Sequence, residues 1–392
     1  MKCRVCESVL GEKIFALPAM PLTDEFVSTS FATDEFIRDI CIYQCINCGL
    51  VQNPVDFDHK GYYENYEYSS GHSDFTRAFM RSYAQSICDA FRSVHGHSPK
   101  SVLEIGSGDG EQLRAFQQLG VHNVFGVEPS QALVRQSKKL GVSAYKGFFS
   151  SKIINELEVN NFDVCISSYT LDHVRDPLDY LRAAHTLLVP GGVLAFEVHD
   201  LSRIAERGEW CLFEHEHTIY MDAEMAEKVL SSNGFKVFSI NPIPESEVRA
   251  NSLIVIAHKT QNKQREFRNS LIDYSGLQSR VDAIIDRIDA WIDALQPGAR
   301  LVGYGAGGRG VMTLAALGNA SRFETLFDSN HSSGQHCTPK TRISISGLEA
   351  LSNFNNAWCL VFSFGYMSEI SFTLQAAGFR SDRIVSLRTF LD

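Results

Sequence analysis

The chain has 392 residues, 44% hydrophobic and 21% charged. That is ordinary globular composition, which excludes disordered, collagen-like and low-complexity classes. At roughly 100–200 residues per domain it leaves room for two or three domains. Lys+Arg 36 against Asp+Glu 46 gives a net charge of −10. A general nucleic-acid binder needs a positive surface, so no DNA or RNA partner is expected. No apolar run approaches the ~20 residues that span a bilayer, and no apolar stretch follows Met1-Lys2-Cys3-Arg4 as in a signal peptide. The expectation is a cytoplasmic monomer or dimer without a membrane partner.

The N-terminal stretch holds Cys3-x-x-Cys6 and Cys45-x-x-Cys48, with 38 residues between the pairs. Each pair sets two sulfurs on one side of a tight turn, and two such turns complete a tetrahedral Zn²⁺ site. With four thiolates no position stays open, so the expected zinc is structural. The other cysteines (41, 88, 165, 211, 337, 359) are scattered and read as small core residues. A tyrosine cluster (Tyr62, Tyr63, Tyr66, Tyr68) follows. After it, Phe75, Phe79, Tyr83, Ile87 and Phe91, spaced by four, predict a helix.

From residue 100 to 258, short β-branched runs (SVLEIG, VFGVEP, FDVCISS, VLAFEV) alternate with helical patterns, which predicts a parallel sheet. Gly106, Gly108 and Gly110 lie between the first strand and its helix. Small residues there let the backbone approach a ligand at free helix N–H groups. Glu104 precedes the turn, and Glu128 ends the next strand 18 positions after Gly110, where an acid can take both hydroxyls of a ribose. The ligand is NAD or S-adenosylmethionine (SAM). Glu111 disfavours a pyrophosphate, and the acids suit a sulfonium.

Glu214-His215-Glu216-His217 offers a base with a carboxylate neighbour, suited to removing a proton from carbon beside a carbonyl; Glu214 would raise the pKa of this imidazole. H-x-H is also two ligands of a metal site. Residues 263–296 predict one long amphipathic helix, broken by Pro297-Gly298. A second βαβ series follows: RLVGYGAGGRG, FETLFDSN, AWCLVFSFG and DRIVSL. Gly303, Gly305 and Gly308 satisfy G-x-G-x-x-G, with Asp328 20 positions beyond Gly308, as in a dinucleotide site. Arg309 can pair with a phosphate.

LEIGSGDG, the acidic second strand, GFF at 147–149 and FDVCISSYTLDHV at 162–174 resemble the motifs of class I SAM-dependent methyltransferases. Together with CRVC, CxxCGLVQ at 45–52, Tyr66-x-Tyr68, LDHVRDP, HEH at 215–217, YGAGGRG and FDSNHSSGQHCTP, the whole layout resembles the C-methyltransferases that act on C3 of nucleotide-linked 4-keto-6-deoxyhexoses. The resemblance implies an α/β protein: a zinc-binding domain (1–65), a Rossmann-like SAM-binding methyltransferase domain (66–260) and a C-terminal Rossmann-like domain (261–392) for the nucleotide sugar. It assigns Glu104, Gly106, Ser107, Gly108, Gly110, Glu128, Pro129, Phe148 and Phe149 to SAM. His217 becomes the base, Glu216 its orienter, and His173, Tyr68, His215 and Glu214 its catalytic neighbours. Tyr66, Gly305, Arg309 and Asp328 go to the substrate. Glu214 is a departure, since the family has Tyr before H-E-H. The competing functions are O- or N-methylation of a related sugar nucleotide, an NAD(P)-dependent oxidoreductase or epimerase, and a protein that keeps SAM as a structural ligand.

Overall fold

A computed structural model describes residues 1–23, 26–28, 35–66, 74–157, 161–243, 251–261, 271–329 and 334–391. The strand Ser101–Ile105 is buried at every position, as a strand covered on both faces must be. It lies within a seven-stranded sheet ordered Phe235–Pro242, Ser252–Lys259, Leu188–His199, Phe162–Ser168, Ser101–Ile105, Asn123–Glu128, Ser143–Lys146. From Leu188–His199 to Ser143–Lys146 every pairing is parallel.

Ser252–Lys259 departs from the expected all-parallel sheet, running antiparallel to both neighbours. The nine residues between Pro242 and Ser252 are too few for a crossover, which takes a dozen or more. The helix Asp74–His95 carries the spaced-by-four stripe. Its Tyr83, Ile87 and Phe91 pack with Val102, Leu113, Phe116 and Val193.

The N-terminal segment builds a sheet ordered Lys13–Pro21, Ile37–Gln44, Val51–Gln52, Ile219–Tyr220. Its last strand comes from the stretch just after His217, pairing Ile219 with Gln52 and Tyr220 with Val51. The C-terminal part forms a parallel five-stranded sheet ordered Ile345–Ser346, Leu326–Phe327, Leu301–Tyr304, Trp358–Val361, Ile384–Ser386. His336–Cys337 pairs with Val27–Ser28, so N-terminal and C-terminal segments share a ladder.

They also share a core. Phe15, Met20, Trp210, Phe213, Ile284, Ile288, Met312 and Phe362 belong to one buried cluster. Burying each large apolar side chain is worth about 1.5–3 kcal/mol, so removing the C-terminal part would strip the segment around residues 210–217 of its support. The predicted long helix covers only Leu277–Asp293 among described residues. Its buried positions Leu277, Val281, Ile284, Ile288 and Ile292 start the apolar stripe, whereas Leu271 and Ile272 are exposed. No described helix is long and apolar enough to cross a membrane.

Candidate active site

The parallel strands Ser101–Ile105, Asn123–Glu128, Phe162–Ser168 and Leu188–His199 end on the same side, where Gly106, Gly108, Gly110, Glu128 and His199 lie. Gly106, Gly108 and Gly110 have φ of 71°, 52° and 87°, conformations that glycine adopts without penalty. They serve different ends. A Cβ on Gly106 would come within 2.4 Å of Thr170 Oγ1, and one on Gly110 within 2.9 Å of Ser137 Cβ, whereas one on Gly108 would meet nothing within 4 Å among the described residues. Gly106 and Gly110 are required by packing; Gly108 faces open space, as a ligand cradle must.

Glu128 accepts from the Gly108 N–H through Oε2 at 2.9 Å and from the Ser130 N–H through Oε1 at 2.8 Å. Burial raises its pKa against these two bonds. Glu104 is buried, and its Oε2 has no hydrogen-bond partner among the described residues. Burial first, then the charges of Asp109 and Glu128, hold its carboxyl well above the usual range. An orphaned buried acid beside a glycine cradle fits a cationic ligand that supplies the missing partner. Ser107 is buried and Pro129 half-buried. Phe148 is 37% exposed, and Phe149 sits edge-on to Tyr180.

The histidines form the second part of the site. His217 Nδ1 lies 2.9 Å from the Leu212 carbonyl. A carbonyl only accepts, so Nδ1 carries the proton and the neutral ring presents a bare lone pair at Nε2. Burial first, then the neighbouring His173 and His199, lower the His217 pKa to about 3. The Glu214 carboxylate, 3.6 Å from Nε2, does not raise it as the sequence suggests, because desolvation of an imidazolium wins.

The His173 and His199 rings lie 4.6 Å and 4.9 Å from that of His217. Asp172 accepts from His199 Nδ1 at 3.2 Å, and its Oδ1 is 3.9 Å from His173 Nε2. Burial pushes its carboxyl up, yet the imidazoles of His173, His199 and His217 hold it far below the usual range. Tyr63 Oη and His173 Nδ1 are hydrogen-bonded at 2.6 Å. Tyr62 Oη donates to Glu216 Oε1 at 3.1 Å, and the same oxygen accepts from Thr23 N and Oγ1.

Several predicted residues do other work. His215 donates Nε2–H to the Met20 carbonyl at 3.0 Å and stacks edge-on with Phe36, so it braces the N-terminal sheet. The backbone at Glu214 is fixed from its carbonyl by Asn53 Nδ2 and Tyr220 Oη, each at 3.4 Å. Tyr66 gives its carbonyl to Ser130 Oγ at 2.6 Å, next to Glu128. Tyr68 lies outside the described residues. The sequence pointed past Tyr62, Tyr63, Asp172 and His199, although the tyrosine cluster and the acid beside His173 were visible signals. Tyr169, at the strand end, has φ of 47°, an uncommon conformation for a bulky residue that costs about 1–3 kcal/mol. Its ring lies 4.6 Å from that of His199.

The four cysteines converge. Cys3 Sγ is 3.6 Å from Cys48 Sγ, and Cys6 Sγ is 3.4 Å from Cys45 Sγ. All four sulfurs lie within 4.8 Å of one another. Thiolates on a tetrahedral Zn²⁺ with bonds of ~2.3 Å sit ~3.8 Å apart, so this set fits the ion.

The second glycine-rich loop is packed at its two ends and open at Gly307, where a Cβ would meet nothing within 4 Å among the described residues. A Cβ on Gly305 would reach within 2.3 Å of Ser363 Oγ, and one on Gly310 within 2.1 Å of the Gly305 carbonyl. Asp328 Oδ2 accepts from the Ala306 N–H at 2.9 Å. The Arg309 guanidinium is 3.4 Å from Glu209, which is fully buried and also pairs with Arg207 at 3.2 Å. Arg309 also lies over the Phe364 ring.

Residues 77–240 match a family model described as a methyltransferase domain. Residues 244–385 match one described as a C-methyltransferase C-terminal domain. The chain thus carries a methyltransferase domain followed by a C-methyltransferase C-terminal domain. Relatives include the tRNA U34 carboxymethyltransferase of Idiomarina loihiensis, 29% identical over 106 residues, 26% of this chain and 33% of that protein. The ubiquinone biosynthesis O-methyltransferase of Pseudomonas aeruginosa is 33% identical over 102 residues, 25% of this chain and 43% of that protein. The chain thus spans a third to under a half of these relatives. Similar solved structures include the plantazolicin methyltransferase BamL, at 14% identity and TM-score 0.39, covering 48% of this chain and 87% of that one. The CcbJ methyltransferase of Streptomyces caelestis has 15% identity and TM-score 0.39, covering 52% of this chain and all of that one. The methyltransferase domain keeps its Rossmann-like sheet within residues 101–259.

Proposed function

We propose that this methyltransferase uses SAM to methylate C3 of a nucleotide-linked 4-keto-6-deoxyhexose. The observation that carries the reading is His217: a buried, neutral imidazole whose Nδ1–H is spent on a carbonyl and whose Nε2 is left as a base. Methylation of oxygen or nitrogen does not call for a carbon-directed base, and the C-terminal match to a C-methyltransferase domain favours carbon. SAM, when bound, supplies an electrophilic methyl group on a sulfonium. Gly108 would admit it, Glu128 would hold its ribose, and the orphaned Glu104 would face its positive charge.

The chain's own part is proton chemistry. His217 Nε2 removes the C3 proton, which is acidic because the C4 carbonyl receives the electron pair. The developing oxyanion needs donors aimed at it; the hydrogen-bonded Tyr63–His173 pair supplies one. The acid–base share is typically ~10²–10⁴ in rate, and holding both reactants in place supplies much of the rest. A Zn²⁺ on Cys3, Cys6, Cys45 and Cys48 would fasten the N-terminal sheet that braces residues 214–220. The test is incubation with methyl-labelled SAM and a panel of nucleotide-linked 4-ketosugars, with NMR locating the label. A C–CH₃ group at C3 is expected; label on oxygen or nitrogen would replace this reading.

A further inference from the structure

The helix Gly308–Ala316 follows Gly307, which provides no side-chain cap. Its first N–H groups and the positive end of its dipole therefore call for an outside partner. In a dinucleotide-binding loop that partner is a pyrophosphate. Here Glu214 stands beside it: a Cβ on Gly308 would come within 2.5 Å of Glu214 Oε1. The other oxygen, Oε2, is 3.6 Å from His217 Nε2. One carboxylate thus spans the distance from the C-terminal helix to the lone pair of the base. Glu209, fully buried, ties Arg309 of the same helix to Arg207, which fixes the helix against the site.

We propose that Gly308 seats Glu214 at this helix terminus and that Glu214 receives the proton which His217 takes from the substrate, so that the second glycine-rich loop completes the methyl-transfer site instead of binding a dinucleotide. The proposal rests on the reading of His217 as base. The C3–H bond breaks, its proton bonds to Nε2, and the electron pair stays on the sugar as an enolate. The imidazolium then passes its proton to Glu214 Oε2, which restores the Nε2 lone pair and leaves a neutral carboxylic acid. That acid releases the proton to water. Glu214 is 8% exposed, against 1% for His215 and Glu216 and 3% for His217, so it is the most solvent-exposed of the four. Glu214 is a catalytic residue on this account, and Gly308 a positioning residue.

Two measurements on the full chain test it. In thermal unfolding, Gly308→Ala should lower the midpoint of the wild type, because the new methyl displaces the carboxylate. In a Glu214→Ala background the same change should be neutral or stabilising. An equal cost in both backgrounds overturns the seat. With a dTDP-linked 4-keto-6-deoxyhexose and labelled SAM, Glu214→Gln keeps the shape but not the charge. It should lower kcat at least about tenfold with SAM affinity unchanged by calorimetry, and Gly308→Ala should lower kcat in the same sense. An unchanged kcat in Glu214→Gln overturns the proton role. Wild-type protein that methylates no ketosugar would overturn the proposed function and this proton role together, while the unfolding cycle still decides the seat.

Discussion

Replacing Glu128 by Gln isolates the electrostatic part of the proposed cofactor site with almost no change in volume. Each carboxylate oxygen now holds one backbone N–H, Gly108 on Oε2 and Ser130 on Oε1. An amide keeps one accepting oxygen and turns an NH₂ group toward the other N–H, so one bond to a charged acceptor becomes a donor–donor contact. Such bonds are worth about 1.5–3 kcal/mol, and the same oxygens are the ones available to ribose hydroxyls. Losing even one of them, at about 1.4 kcal/mol per factor of ten, weakens SAM at least about tenfold. Calorimetric titration of SAM into folded Glu128→Gln protein measures this directly. Unchanged affinity with an unchanged unfolding midpoint would refute the assignment of Glu128 to the ribose.

The neighbouring glycines separate packing from binding. Gly106→Ala must push Thr170 aside and is expected to show a lowered unfolding midpoint. Gly108→Ala has room, carries a backbone cost of only about 1–2 kcal/mol, and is expected to fold but to bind SAM poorly; equal effects of the two on binding and stability would contradict the distinction. Metal analysis of protein never exposed to chelator should find one zinc per chain, and Cys45→Ser should lose it together with stability, since metal binding in such sites is folding energy; full stability without metal would dispose of the structural zinc. Burial lowers the His217 pKa from 6.5 to about 3, so the ring stays neutral, and able to act as a base, far below its ordinary titration range. The acidic limb of kcat/KM should therefore lie well below pH 6.5, and a limb at or above that value would show the imidazole to be solvated.

What the sequence disclosed follows from what chemistry must write locally. Gly106, Gly108 and Gly110 were legible because left-handed backbone excludes most other residues, and the buried strands because they need continuous apolar runs. The paired cysteines were legible because tetrahedral metal ligation calls for such spacing. The direction of Ser252–Lys259 was not, since a strand's sense depends on the length of its connection and not on its own pattern. Tyr62, Tyr63, Asp172 and His199 come from three separate stretches of chain and meet only in the folded molecule. The second glycine-rich loop reads more than one way for a physical reason: glycine is demanded by a pyrophosphate as it is by Ser363, the Gly305 carbonyl and the Glu214 carboxylate. His215 and His217 are two residues apart, yet one braces Met20 and the other faces the site, a division that only tertiary packing decides.

Exchange of solvent deuterium into the substrate reads the proposed carbon-base step of His217 without any methyl transfer. Wild-type protein, incubated in D₂O with a nucleotide-linked 4-keto-6-deoxyhexose and no SAM, should place deuterium at C3, seen by NMR as loss of that proton's signal. His217→Asn can retain the bond to the Leu212 carbonyl but has no Nε2, and should slow the exchange by about 10²–10⁴ while binding SAM as the wild type does. Exchange at the wild-type rate in His217→Asn, or none in wild-type protein that still transfers methyl to this sugar, would contradict the account.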